Sequence, residues 1–288
     1  MKISYSVRKP FIFAAAVLFI IAVLAFTGGF LIPAEQEYSI KVAVLYSGAS
    51  KTYLDTYQHF SQPLLMNLKA AAIDADRIDA GELTEYDLVC PDISIRNAEN
   101  SEKVKKQLIE FVAGGGAVLL ENSFYDWFPM DFLGAGSFEK LDALPDKLEY
   151  PEVRYDLKPV QRLINDFYEN YKKFRKRDEL KADYGRAMVA ETAVPVVKAG
   201  DTALYTLNYY GKGFVFFTNP LLPNNTYISG FDMTAKTDGQ AFFNNTVAAA
   251  NQMLGNEYAA FLAKQKYGYA LKKVFGSYGR PAMAWQNH

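Results

Sequence analysis

Residues 10–34 contain no charged side chain, and their centre reads Phe-Ile-Phe-Ala-Ala-Ala-Val-Leu-Phe-Ile-Ile-Ala-Val-Leu-Ala-Phe over residues 11–26. No other feature constrains the chain as strongly. A helix needs roughly 20 apolar residues to cross the hydrocarbon core of a bilayer, and residues 11–32 supply them. Lys2, Arg8 and Lys9 precede the run, while Glu35 and Glu37 follow it. A cleaved signal peptide has the same basic start and apolar core. Its cleavage site would be poor here, because Ile32-Pro33-Ala34 puts proline just before the last residue and Ala25-Phe26-Thr27 is no better. An uncleaved signal-anchor is the favoured reading. In either case the basic flank stays on the cytoplasmic side. The expected location is a single-pass cell-membrane protein, with its N-terminus cytoplasmic and its main domain extracytoplasmic.

The 31 basic residues of the chain less Lys2, Arg8 and Lys9 leave 28, against 32 acidic ones, in the exported part. A balance on the acidic side argues against nucleic acid as a partner. One cysteine, Cys90, and two histidines, His59 and the terminal His288, leave no internal disulfide. They also leave no Cys/His cluster for zinc, haem or iron–sulfur. No metal and no cofactor are expected.

Residues 39–47 read as a buried first strand with a polar exit into Gly48-Ala49-Ser50. A helix is expected over residues 63–73, with Leu64, Leu65, Leu68 and Ala72 on one face, and a short second strand over 76–79. Residues 86–92 form an apolar strand ended by Pro91. Ser101 can cap a helix whose Val104, Leu108, Phe111 and Val112 fall at helical spacing. That helix stops at Gly114-Gly115-Gly116, and residues 117–121 follow as a strand. Alternating strands and helices with short connections predict an α/β domain, a mostly parallel sheet flanked by helices in the flavodoxin or amidotransferase manner. Ligands of such sheets sit beyond the carboxyl ends of the strands.

Residues 124–183 break this rhythm with an aromatic loop and a helix near 158–180, whose stripe is Val160, Leu163, Ile164, Phe167, Tyr171 and Phe174. Strand-like runs over 186–198 and 202–208 follow, then a hairpin at Tyr209-Tyr210-Gly211 and a last strand over 214–219. A helix over 240–254 closes the domain. The organisation is a cytoplasmic stub and anchor (1–34), an α/β domain (35–255, insertion about 124–183), and a helical tail or the start of a further domain (256–288).

The run over residues 86–92, the helix ending Glu110-Phe111-Val112-Ala113-Gly114-Gly115-Gly116 and the strand 117–121 resemble the class I glutamine-amidotransferase-like superfamily. Gly211-Lys212-Gly213-Phe214-Val215-Phe216-Phe217-Thr218-Asn219-Pro220 is similar to that superfamily's final strand. The resemblance covers roughly residues 39–124 and 202–255 and lies nearest the non-catalytic branch known from β-galactosidase trimerisation regions. Catalytic members present a cysteine on a tight turn after the strand matching 117–121, and a His–Glu pair after the last strand. Here Glu121-Asn122-Ser123 stands at the first place, and no histidine lies between His59 and His288. The resemblance therefore implies the fold without the Cys–His–Glu machinery.

Each candidate for chemistry has a plainer reading. Cys90, inside an apolar strand, reads as buried and inert. Gly114 to Gly116 follow a helix, whereas a phosphate loop precedes one. Ser50, Asp92, Glu121, Asn122 and Asp126 fall at expected strand ends and are candidate ligand-binding residues; the carboxylates among them either converge for acid–base work or bind loop amides. Trp127, with Tyr125, Phe128 and Phe132, either stacks on sugar rings or fills a small core under the insertion. Lys172, Lys173, Arg175, Lys176 and Arg177 either face an anionic surface or complement a helix dipole. The terminal Gly279-Arg280-Pro281-Ala282-Met283-Ala284-Trp285 resembles the lead-in to polysaccharide-deacetylase modules of exopolysaccharide proteins.

The resulting expectation is a membrane-anchored, extracytoplasmic, non-catalytic binding or scaffold domain in cell-envelope or exopolysaccharide processing. Its partners would be the membrane, through residues 11–32, and an envelope polysaccharide or protein. The competing expectation is the accessory N-terminal part of a carbohydrate-active enzyme such as a polysaccharide deacetylase or glycoside hydrolase.

Overall fold

The computed structural model describes residues 39–48, 67–78, 81–174, 184–219, 221 and 257–267. The apolar run, Ser50, Arg175, Lys176 and Arg177, the helix expected over 240–254 and the terminal segment 279–288 lie outside them. Among the described residues, no helix is long and apolar enough to cross a membrane. The chain divides into two units, Met1–Tyr38 and Ser39–His288, and every described element belongs to the second.

Among the described residues nine strands form one sheet in the order β2-β1-β3-β4-β9-β8-β6-β5, with β7 also paired to β8. They are β1 (Ser39–Tyr46), β2 (Asn67–Asp74), β3 (Leu88–Pro91), β4 (Ala117–Glu121), β5 (Ala135–Lys140), β6 (Arg186–Ala190), β7 (Val194–Ala199), β8 (Thr202–Tyr210) and β9 (Gly213–Thr218). From β2 to β9 all neighbours run parallel; beyond β9 the pairing turns antiparallel. The fold is therefore mixed α/β, with the expected parallel sheet across five strands and an antiparallel extension. Its helices are α1 (Ser101–Gly114), the single turn α2 (Met130–Leu133), α3 (Lys158–Phe174) and α4 over residues 257–267.

The inner parallel strands β1, β3, β4 and β9 are covered on both faces, which is why they read as continuous apolar runs. Ala43, Leu45, Val89, Val118, Leu120, Val215 and Phe217 point toward α1, whose Val104, Leu108, Phe111 and Val112 are buried in the same cluster. On strand β9 the alternate residues face α4. Phe216 stacks on Tyr258 at 4.1 Å and meets Phe261 edge-on at 5.7 Å, and Phe214 meets Phe261 at 5.3 Å. Helix α4 also fastens the start of β1, where the Tyr267 hydroxyl donates to the Ser39 carbonyl at 2.6 Å. Residues 257–267 thus pack into the same body as the sheet.

Helix α1 ends as its glycines predict. Gly115 caps it at φ +122°, and a Cβ on Gly116 would lie 2.1 Å from the Phe111 ring, so only glycine allows this corner. At the other end the N-cap is Asn100, not Ser101, and its side chain is spent on the Ala75 carbonyl at 2.8 Å.

Two expectations are overturned. Residues 67–74, read as the end of a helix, are strand β2, paired with β1 in parallel along its whole length. Asn-Leu-Lys-Ala-Ala-Ala-Ile-Asp has helical propensity, but eight residues of backbone pairing to a buried neighbour outweigh it. Of residues 76–79, read as a strand, Asp76 and Arg77 fall in a 3-10 turn over Ala75–Arg77, where Asp74 accepts from the Asp76 amide, and Ile78 follows it; Asp79 lies outside the described residues. The stretch 124–183 is not wholly outside the sheet, because β5 pairs with β6 at the far edge. Helix α3 forms where its stripe predicts, with Val160 and Ile164 of that stripe buried and Leu163 half-buried; Tyr168, outside the predicted stripe, is buried as well, and the described part of the helix ends at Phe174.

Candidate functional site

The order β2-β1-β3-β4-β9 places a topological switch between β1 and β3, and ligands of open α/β sheets bind beyond the carboxyl ends of strands at such a point. At this edge stand Ser47 and Gly48 after β1, Asp92 after β3, Glu121, Asn122 and Ser123 at the end of β4, and Asn219 after β9.

Asp92 is 3% exposed and caps the 3-10 turn Ile93–Asn97, its Oδ1 accepting from the Ser94 amide at 2.9 Å. Its Oδ2 is buried with no hydrogen-bond partner among the described residues. Ser94 Oγ accepts from the Ser47 amide at 3.0 Å, and Ser47 Oγ donates to Asp76 at 2.8 Å. A polar chain therefore links the ends of β3, β1 and β2. Asp126 lies apart from it, half-exposed and paired with Arg96 at 2.9 Å; the same guanidinium donates to the Ser123 carbonyl. Glu121 is half-buried at the last register position of β4, opposite Thr218. Among the described residues no three His, Cys, Asp or Glu side chains are grouped to hold a metal ion. Cys90 is buried and reduced in β3.

Asn122 and Asn219 together grip one peptide. The Asn122 amide donates to the Arg186 carbonyl and accepts from the Arg186 N–H at 3.1 Å. The Asn219 amide donates to that carbonyl at 2.9 Å and to the Tyr184 carbonyl at 3.0 Å, while accepting from the Leu221 N–H at 2.8 Å. Both asparagines are buried. Gly185, between the gripped carbonyls, has φ +82°, and a Cβ there would stand 2.1 Å from Asn122 Oδ1. The chain entering β6 thus lies across the ends of β4 and β9. Asn208 on β8 fastens the insertion similarly, donating to the Asp131 and Phe132 carbonyls at 3.1 and 3.0 Å. Sequence reading singles out Asn122 but misses Asn219, Gly185 and Arg186. The available signal is the repeated ending of an apolar strand on asparagine, Leu-Leu-Glu-Asn and Phe-Phe-Thr-Asn.

The Trp127 ring lies edge-on to Phe128 at 4.8 Å and tilted on Phe124 at 5.5 Å, with the Lys105 ammonium 5.2 Å from its centre. Phe124, Phe128 and Phe132 belong to the main core, and Tyr125 packs against Phe138 and the Arg186 guanidinium. The aromatic loop is thus an extension of the core. Lys172 and Lys173 fall in the last turn of α3.

At the opposite, amino edge of the strands a cavity of about 590 Å³ is lined by Tyr86, Asp87, Glu110, Gly115 and Lys266, among others. The Asp87 carboxylate there accepts from Lys266 at 2.7 and 3.0 Å and from the Lys41 amide at 2.9 Å.

No protein-family model matches the chain, and no curated protein sequence does. Among solved structures it is similar to a cytoplasmic protein of Salmonella typhimurium LT2, at 12% identity over 73% of this chain and 98% of that one, with a TM-score of 0.40. It is similar to a cold-adapted β-galactosidase from Rahnella sp. R3, at 18% identity over 62% of this chain and 28% of the enzyme, with a TM-score of 0.36. It is similar also to a GMP synthase-like protein from Thermoplasma acidophilum, at 10% identity over 74% of this chain and 94% of that one, with a TM-score of 0.37. At these scores the likenesses carry no argument about activity.

Proposed function

We propose that this chain is a non-catalytic α/β module of amidotransferase-like fold, held at the membrane by residues 11–32, that binds polysaccharide or scaffolds its processing in the cell envelope. One observation carries the non-catalytic part. The superfamily resemblance assigns a cysteine to the position after β4 and a histidine to the stretch after β9. Glu121-Asn122-Ser123 stands at the first place, no histidine follows β9 before His288, and the amides of Asn122 and of Asn219, the residue after β9, are engaged on the Arg186 backbone. An amide neither attacks as a nucleophile nor takes a proton near neutral pH, and the backbone of residues 184–186 crosses the strand ends beside these two side chains. The uncharged run over residues 11–32 and the acidic balance of the remainder support the anchored, exported arrangement.

Two measurements test this reading on the full chain. Expressed in a bacterial host, it should sediment with membranes after alkaline carbonate washing and be cut by protease added from the extracytoplasmic side; recovery in the soluble fraction would overturn the anchor. In detergent micelles it should be retarded in native gels containing an envelope-type polysaccharide and release no ammonia from glutamine. Absence of retardation by every polymer tried would overturn polysaccharide binding, and glutamine-dependent ammonia release would overturn the loss of catalysis.

A further inference from the structure

The described residues expose five large hydrophobic side chains, Met130, Tyr150, Tyr155, Val194 and Tyr209, and two of them are joined to Arg154, one along the chain and one by a hydrogen bond. Arg154 precedes Tyr155 in the chain, and its Nη1 donates to the Tyr209 hydroxyl at 3.3 Å. We propose that Tyr155, Tyr209, Arg154, Asp156 and Gln265 form a binding platform for an uncharged oligosaccharide, which deepens the polysaccharide-binding function proposed above and rests on it.

Tyr155 is 81% exposed, yet it does not belong to a loose loop. Val153 and Leu157, two residues to either side, are buried, and residues Tyr155–Leu157 form a 3-10 turn. The ring is therefore held out from the surface by anchors on both flanks. The Lys264 ammonium stands 6.0 Å from its centre, and most of the ring surface remains open. Tyr209, 49% exposed, is steadied by an edge contact with Phe214 at 5.6 Å. An ordered aromatic ring offers a large, rigid contact area at small entropic cost.

The polar groups around Arg154 are also preordered. Arg154 Nε and Nη2 donate to Asp156 Oδ1 and Oδ2 at 3.2 and 2.8 Å, and its guanidinium lies 5.5 Å from the centre of the Phe261 ring. Gln265 Nε2 donates to Asp156 Oδ2 at 3.1 Å. This set presents donors from the half-exposed Arg154 guanidinium and both a donor and an acceptor from the exposed Gln265 amide, ordered by an Asp156 carboxylate that is itself only 12% exposed. Neighbouring sugar hydroxyls each donate and accept, and so match it. A phosphate or carboxylate ligand fits less well, because the Arg154 charge is already answered by a bidentate carboxylate. A lipid surface would require a continuous apolar patch, whereas here the Tyr209 hydroxyl is engaged by a charged Arg154–Asp156 pair.

The test uses the full chain in detergent micelles and native gels containing hydroxyethylcellulose, galactomannan or, as the anionic arm, alginate. Retardation by a neutral polymer is expected. Tyr155→Ala should weaken it by about tenfold or more in association constant, roughly the loss of one well-packed aromatic contact. Tyr155→Phe should keep it within about twofold, because the ring and not the hydroxyl does the stacking. The urea midpoint of Tyr155→Ala should match that of the unaltered chain. Neutral-polymer retardation that Tyr155→Ala leaves unchanged would overturn this platform while leaving polysaccharide binding intact. So would retardation by alginate alone. Absence of retardation by all three polymers would overturn the underlying function as well.

Discussion

Replacing Asn122 and Asn219, singly and together, tests whether the ends of β4 and β9 act as one clamp. Asn219→Ala removes three hydrogen bonds, from the Tyr184 carbonyl, the Arg186 carbonyl and the Leu221 amide. The Arg186 carbonyl keeps its second donor, the Asn122 amide. Two backbone groups therefore lose this partner in a site where the side chain is 1% exposed. Stripping a buried polar group of its partner costs about 1–3 kcal/mol, so Asn219→Ala should destabilise by about 3 kcal/mol. Asn122→Ala takes the acceptor from the Arg186 N–H and should cost about 2 kcal/mol by the same reasoning. In the double variant the Arg186 carbonyl loses both amides, a loss neither single change inflicts. The cycle should therefore be non-additive, the pair costing about 1 kcal/mol more than the two singles summed. Urea unfolding followed by tryptophan fluorescence measures all four corners, since Trp127 lies close by in sequence after β4. Trimethylamine N-oxide keeps the weakest variant folded enough to titrate. Additivity within about 0.5 kcal/mol, or an Asn219→Ala cost below about 1 kcal/mol, would refute a shared clamp.

Gly185→Ala should destabilise by about 3 kcal/mol in urea titrations, because φ +82° disfavours a side chain and the new Cβ would meet Asn122 Oδ1. In an Asn122→Ala background the cost should fall, and an unchanged cost would show that strain alone sets it. Tyr258→Phe should raise stability by about 1 kcal/mol, since the Tyr258 hydroxyl is buried without a hydrogen-bond partner among the described residues while its ring stacks on Phe216; a loss of stability would reveal a partner for that hydroxyl. Burial holds the Glu257 carboxyl above its ordinary value, with Lys264 pulling the other way. Stability linked to a raised pKa is present below the unfolded value of about 4.3 and is lost as pH rises through the folded one. Glu257→Gln should therefore raise the melting temperature at pH 7 relative to the unaltered chain, with a smaller gain at pH 4. An equal gain at both pH values would remove the titration from the explanation.

The elements legible in the sequence are those whose burial imposes a local pattern. β1, β3, β4 and β9 are covered on both faces and read as unbroken apolar runs, and α1 and α3 show their stripes because one side of each meets the core. The misreadings fall where pairing decides. β2 carries three alanines and a leucine that suit a helix, and only its register against β1, from Ser39 opposite Asn67 to Tyr46 opposite Asp74, makes it a strand. β5, Ala-Gly-Ser-Phe-Glu-Lys, is mostly exposed and has no alternation to read, so its partner β6 defines it.

The candidate site divides along the same line. Asp92 is recognisable as a strand-end residue, and its turn is legible too, since Asp-Ile-Ser places an amide two residues on for the carboxylate to accept. The Asn122 contact to Arg186 spans 64 residues, and nothing local announces it. Likewise Tyr155 is, in the sequence, one tyrosine among 20; the buried Val153 and Leu157 beside it are what set its ring outward. The scarcity of cysteine and histidine gains physical content from the clamp. A sequence can show only that a nucleophile and a base are missing after β4 and β9. The structure shows what Asn122 and Asn219 are engaged in, and therefore what substituting them would disturb. Asn122→Cys would place a thiol beside the Arg186 backbone, with Gly185 and Asn219 still packed across the strand ends. On the non-catalytic reading proposed above, an accessible thiol there would require the path of residues 184–186 to change as well, because Asn219 still holds the Tyr184 and Arg186 carbonyls.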